Sequence, residues 1–397
     1  MLAKLFLLTA ALLQGASGAR VVEEKYPNGN IKSRREVVPG GGGVVNHGET
    51  TTYFENGQVA EQSHYVRGAQ HGTIVEYYRN GKVKRERTFV NGRQDGVEVA
   101  YYDDGTKSEE LPYRNGTKHG THLAWSRAGK KILEEEFDRD QLHGKREQWI
   151  GDGQPLLLQH FVRGIRDGVY KRWYNNGKPR VETNYKNGFM DGQYREWHYN
   201  GELHVEAEYK DGLLDGKKSQ WFATGEPQLE ENYHAGIPHG EWKHWHDIKP
   251  HGLKSHQAFY NGAPHGTQTF YFQDGGKRVE MVFYNGRRHG PWTEWYENGQ
   301  VKTQGEYVSD ELQGEVKFFY EDGARWAVQR YRRGDQHGWS TEWDPQGKIL
   351  YQEYYDRGRL VEDRSPRSTQ DAAKAKGSHS PPKPFQGAPS IRAAPRR

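Results

Sequence analysis

Hydrophobic and polar positions along this chain repeat every 24 residues. The phase is set by the glycine of a recurring dipeptide, as in His71-Gly72, Asp167-Gly168 and His289-Gly290. Five residues after each such glycine stands an aromatic ring, Trp173, Trp197, Trp221 and Trp295 among them. Seventeen residues after it stands a second, exemplified by Tyr185 and Tyr209. The steps are 24 residues from Gly48 to Gly240, one step of 26 reaches Gly266, and steps of 24 resume to Gly338. Four positions before the second ring the residue is often apolar, as at Leu133, Val181, Val205 and Val279, and the next is Glu: Glu134, Glu182, Glu206, Glu280. Even spacing shares a face of a strand and odd spacing does not, so this pattern predicts one aromatic face and one wet face.

The segments between glycines have seven to nine residues, which suits strands and is too short for helices. Asn-Gly pairs such as Asn176-Gly177 and Asn298-Gly299 predict a tight two-residue turn at mid-unit, with a longer Gly-bounded turn closing each unit. The expected fold is all-β: an elongated single-layer antiparallel sheet of tandem β-hairpins, about thirteen units and about 26 strands, without a helix. A hairpin cannot bury its rings alone, so stability must come from neighbours stacking in a ladder.

The ends depart from the period. Lys4, the apolar run Leu5 to Leu13 and the small residues Gly15 to Ala19 read as a signal peptide over 1–19, cleaved near Ala19. Residues 20–47 read as a partial hairpin followed by a flexible Gly-rich loop at Gly40 to Gly43, the repeats run over 48–360, and 361–397 reads as a disordered basic tail rich in Pro, Ser and Ala. No segment is long and apolar enough to predict a transmembrane span. Export with no cysteine fits a secreted or periplasmic protein of a bacterial envelope. The 57 basic residues nearly balance the 53 acidic ones, which removes the electrostatic case for nucleic acid.

The unit Gly290-Pro291-Trp292-Thr293-Glu294-Trp295-Tyr296-Glu297-Asn298-Gly299-Gln300, closing with Glu306-Tyr307, resembles the MORN-type repeat, and more closely the variant named after the YwqK antitoxin family. Tyr77-Tyr78-Arg79-Asn80-Gly81-Lys82 and Trp173-Tyr174-Asn175-Asn176-Gly177-Lys178 fit the same pattern. The resemblance covers about residues 48–360. It implies a protein that binds another protein, such as a toxin, and it carries over no catalytic residue.

Candidate chemistry is sparse. No Gly-x-Ser-x-Gly or His-Glu-x-x-His motif occurs, and glutamates recur too regularly to single out an acid/base pair, so no enzyme and no cofactor are expected. The His of the His-Gly pairs is replaced by Asp or Gln elsewhere, which argues for a turn role over a metal role. The irregular unit 240–266 gathers His244, His246 and His251 around an insertion containing Pro250, and these are the candidate metal ligands. Two binding readings remain: a protein partner, either a toxin or an envelope component, or a glycan or lipid surface met by exposed rings. How many rings are exposed and aligned discriminates between them.

Overall fold

The computed structural model describes residues 18–366. The signal-peptide segment up to residue 17 and the tail from 367 onward lie outside the described residues. Every regular element among the described residues is a β-strand. The chain divides between Met190 and Asp191 into two compact units. Within each, strands pair antiparallel with their sequence neighbours and the sheet is open.

One repeat shows the construction. Strand Ile165–Trp173 pairs with Pro179–Lys186, Gly168 opposite Tyr185 and Tyr170 opposite Thr183. The two turns of the repeat exchange the roles read from the sequence. At mid-unit, Gly177 N–H donates to Tyr174 and Tyr174 N–H to Lys178, enclosing a three-residue loop with only the glycine at positive φ, +80°. This is a type I turn followed by a glycine bulge. The asparagine before that glycine keeps ordinary φ and uses its side chain instead: the Asn176 Oδ1 accepts from the Lys178 N–H at 3.1 Å. The two-residue turn is the other one. Asn91-Gly92 joins paired Val90 and Arg93 with φ of +48° and +79°, the geometry of a type I′ turn.

The His-Gly position is a bulge in the strand that follows the type I′ turn, with Gly72 at φ +82° and His71 N–H bonded to His64 O at 2.9 Å. What His, Asp and Gln share here is an acceptor. Asp167 Oδ2 accepts from the Asn187 N–H at 3.0 Å, Asp95 Oδ2 from Asn115 at 3.1 Å, His47 Nδ1 from Arg67 at 3.2 Å, and Gln313 Oε1 from Arg333 at 3.1 Å. Each satisfies the first N–H of the following type I′ turn, a group with no partner in the ladder. A tyrosine performs the matching task at the other turn. Tyr78 Oη donates to Tyr101 O, Tyr102 to Trp125 O, Tyr296 to Phe319 O and Tyr320 to Trp343 O, all at 2.7–2.9 Å, stapling each of these hairpins to the next.

The two repeating rings lie on opposite faces, which corrects the expectation of one aromatic and one wet face. Tyr185 faces Gly168 and meets the Tyr170 ring edge-on at 5.8 Å. Trp173 is an odd number of residues from Gly168, so it shares the other face with Glu182, whose carboxylate pairs with Lys171 at 2.5 Å. The core lies on the Tyr185-type face. In residues 191–366 it is densest around Met281, Phe283, Trp292, Tyr307, Val316, Phe318 and Ala327. Residues 18–190 fill the corresponding places with more polar groups, Thr50, Ser63, Glu98, His122, Glu135, Gln159 and Thr183.

Both ends of the repeat region carry more sheet than the sequence suggests. Arg20–Lys25 pairs with Ile31–Gly40, which pairs with Gly43–Tyr53. The Gly run is therefore a turn between paired strands, Gly40 opposite Gly43, rather than a flexible loop. Arg359–Asp363 adds a strand beside Ile349–Asp356, so the sheet extends past residue 360.

Candidate binding surface

The face that carries the first repeating ring is built as a row of rings and cations. Strand alternation places the ring at the end of the first strand, and the residue across the bulged turn is basic in four repeats, Lys107, Lys131, Lys277 and Arg325, and Pro, Val, Leu or Ile in the others. Lys107 Nζ lies 5.5 Å from the centre of the Trp125 ring of the next repeat, and Lys131 lies 4.7 Å from that of Trp149. Lys277 and Arg325 stand in the same way over Trp295 and Trp343, at 5.7 and 5.5 Å. The same lysines pair with a glutamate three residues on: Lys107 with Glu110, Lys131 with Glu134, Lys277 with Glu280. A glutamate, a cation and a half-buried ring are thus grouped at Trp125 and Trp149 in residues 18–190 and at Trp295 in residues 191–366. The lysines are visible in the sequence, but each partner ring is eighteen residues away, across a turn whose geometry residue spacing does not define.

Trp173, Trp197, Trp221 and Trp295 all occupy this row and are half-buried. Tyr185 and Tyr209 belong to the opposite face and are half-buried against Tyr170 and Tyr194, each at 5.8 Å.

The opposite face contains the most perturbed histidine. His122, 8% exposed, donates from Nε2 to Glu109 at 2.7 Å and from Nδ1 to Glu135 at 3.0 Å, and Arg146 closes on Glu135 at 3.1 Å. Burial opposes the charged ring, but the two carboxylates outweigh it and hold the pKa up at about 9. Hydrogen bonding from His122 holds both Glu109 and Glu135 below the usual carboxylate range, against the effect of burial. The cluster is an imidazolium clamped by two carboxylates, with no acceptor nitrogen left for a metal or a substrate proton.

The three histidines of the irregular unit do not act together. His244, in strand Gly240–Trp245, pairs through Nε2 with Glu231 at 3.0 Å. His246 lies beyond the strand's end, so the shared face expected for the two is absent. His251 stacks on Phe222 at 4.7 Å, and its Nδ1 donates to His246 O at 2.9 Å. Among the described residues no three metal-ligating side chains are grouped to hold an ion. Nor does any helix among them have the length and apolarity to cross a membrane.

These features define a tandem-hairpin repeat protein whose side-chain chemistry is displayed on open sheet faces. Six stretches match the family model described as the MORN repeat variant: residues 46–67, 70–91, 94–115, 166–187, 190–211 and 288–309. Over those stretches the chain carries repeats similar to that variant. Comparison with curated proteins gives no match. Among solved structures, a crystal structure of TcdB2-TccC3-Cdc42 is similar at 10% identity, over 88% of this chain and 22% of that one, with a TM-score of 0.16. The Tc holotoxin pore of Photorhabdus luminescens, with the TccC3 D651A mutation, is similar at 12% identity over 88% and 19% of the two chains, with a TM-score of 0.15. This chain spans about a fifth of the length of either.

Proposed function

We propose that this chain is a non-catalytic binding or scaffold protein, exported to the cell envelope, that presents its ring–cation row to a protein partner. The row carries the reading. Half-buried Trp125, Trp149, Trp295 and Trp343, each beside a Lys or Arg, are side chains of the kind that anchor protein interfaces, and they share one face within each unit. The resemblance to the YwqK repeat adds a toxin to the classes of partner, with neutralisation by occlusion as the mechanism. Rings at the two repeating positions are half-buried or buried, which removes support for a sugar stacked on them.

The test uses the chain beginning at residue 20 as bait in an envelope extract of its source. Wild type should retain a defined partner that Lys107→Glu/Lys131→Glu loses, with an unchanged far-UV spectrum. Equal capture by both chains, or hydrolytic or transfer activity in the pure protein, overturns the proposal. Sequencing the protein from the envelope should begin near Ala19; recovery of Met1 there refutes export with cleavage.

A further inference from the structure

A second set of rings, off both repeating positions, forms a continuous line in residues 191–366. His234, His239, Tyr260, His265, Tyr284 and His289 follow one another with centroids 6.2, 5.3, 5.8, 5.2 and 6.2 Å apart. They alternate between the residue before a type I′ turn and the bulge histidine. Both positions lie at the same end of the hairpins, so the line runs along one margin of the sheet. The tyrosines stand out into solvent, Tyr260 53% and Tyr284 59% exposed.

The fold does not require these rings. In residues 18–190 the place of Tyr260 and Tyr284 is taken by Val66, Val90, Arg114, Asp138 and Val162, and the turns form equally well. Exposed tyrosines add nothing to the turn and leave apolar ring surface in water. Around Tyr260 the margin is also uncharged. Ala235-Gly236-Ile237-Pro238 and Asn261-Gly262-Ala263-Pro264 carry no charge, whereas comparable turns read Arg139-Asp140-Gln141 and Ser309-Asp310-Glu311. In a chain with 28% charged residues, those two turns offer no cation to a phosphate and no carboxylate to a basic peptide; charge enters at the ends of the line, with Arg287 opposite Tyr284 and Asp215 paired with His234 at 3.1 Å.

We propose that this ring line is a binding surface for a neutral glycan chain. A pyranose presents an apolar C–H face to a ring and hydroxyls at its rim, and the line matches both. Each tyrosine is followed by an asparagine, Asn261 and Asn285; the Asn285 Oδ1 already meets His265 Nδ1 at 3.2 Å, which leaves its amide N–H groups to donate. Successive rings from His239 to His289 are tilted by 45–52°, offering separate faces to a ligand made of separate rings. Tyr260 and Tyr284 are one repeat apart, two strand spacings or about 10 Å, close to the span of two sugars in an extended chain. At its His234 end the line borders an open depression of about 850 Å³, also lined by Asp215, Asn232, Tyr233 and Glu241, where carboxylates can accept from the hydroxyls of a terminal sugar. The open course of the line favours a polymer over a small molecule.

The proposal rests on the binding reading above but uses other residues, so the two fail separately: Lys→Glu variants report on protein capture and Tyr variants on glycan. The chain from residue 20 is run in native gels containing hydroxyethylcellulose, xylan or glycol chitin, with heparin as a polyanion. At least one neutral polysaccharide should retard it. Tyr260→Ala/Tyr284→Ala should weaken that retardation about tenfold or more, the scale of losing a stacking ring from a nucleic-acid base. Tyr260→Phe/Tyr284→Phe should keep most of it, and Val66→Ala/Val90→Ala should change nothing. If the double alanine chain loses its native far-UV spectrum, Tyr284→Ala alone replaces it. Absence of retardation by all three neutral polymers, retardation by heparin only, equal retardation of wild type and the alanine variant, or a protein partner lost with the tyrosines would each overturn the proposal.

Discussion

At the residue scale, single side chains complete turns that the backbone cannot complete alone. The bulge acceptor is the clearest case. Replacing Asp167 with Ala strands the Asn187 N–H, and the expected loss is about 1 kcal/mol, the net worth of one hydrogen bond. Asp167→Asn retains an acceptor oxygen and should recover most of that loss in urea melts; equal losses from both would remove the acceptor role. Burial sorts the tryptophans in the same way. Trp292 is 1% exposed and packs on Tyr307 at 5.9 Å. It occupies space left by Gly305, where an added Cβ would come within 2.9 Å of the indole nitrogen. Trp292→Ala should cost about 3–5 kcal/mol. Trp173, half-buried on the other face, should cost roughly 1–2 kcal/mol. Equal losses measured by denaturant unfolding would contradict the face assignment.

Elements are held by links between consecutive hairpins, and the last hairpin has a weak point. Strands Gly338–Trp343 and Ile349–Asp356 bring Glu342 and Glu353 onto one face. Burial, reinforced by the Glu353 charge, pushes the Glu342 pKa up to about 7. A carboxyl whose folded pKa is raised holds its proton better in the folded state, so stability falls as pH rises from the unfolded value near 4.5 to about 7. Glu342→Gln should therefore raise the melting temperature of this end at pH 8 and leave it unchanged at pH 4. The reverse order would show that Glu342 is stabilised as an anion. His122 has the same sign for a different reason: its clamp is complete below the ordinary histidine pKa and is lost as pH rises through about 9.

At the scale of the whole molecule, stability is a sum over repeats and their junctions. Strands meet their sequence neighbours, so no distant segment must be in place for a given hairpin to form. Excising residues 96–119, one full period, should leave a folded chain with an unchanged β spectrum per residue. Excising half a period removes one strand of a hairpin, so the strand after the junction arrives in the wrong direction for its neighbour, and should unfold the chain locally. Two deletions of equal effect by hydrogen exchange would show that the repeats are not independent units.

The 24-residue phase, the all-β class and the alternation of Glu with the second ring were legible in the sequence, because strand periodicity and Gly-rich turns are local properties of a few residues. Sequence reading also found that His, Asp and Gln substitute for one another, without the reason. That reason is a hydrogen bond twenty residues away, set by how one turn seats against the next. The turn types were decided by bulges, the opposite facing of Trp173 and Tyr185 by the pairing of Gly168 with Tyr185, and the separate engagements of His244 and His246 by the end of strand Gly240–Trp245. A single bulge reverses the facing of the later residues in its strand, and residue spacing alone does not locate it. The ring line through Tyr260 and Tyr284 is equally a product of tertiary structure. Its members stand five or more residues apart in the sequence, and only the antiparallel return of each hairpin to the same margin brings them to within stacking distance.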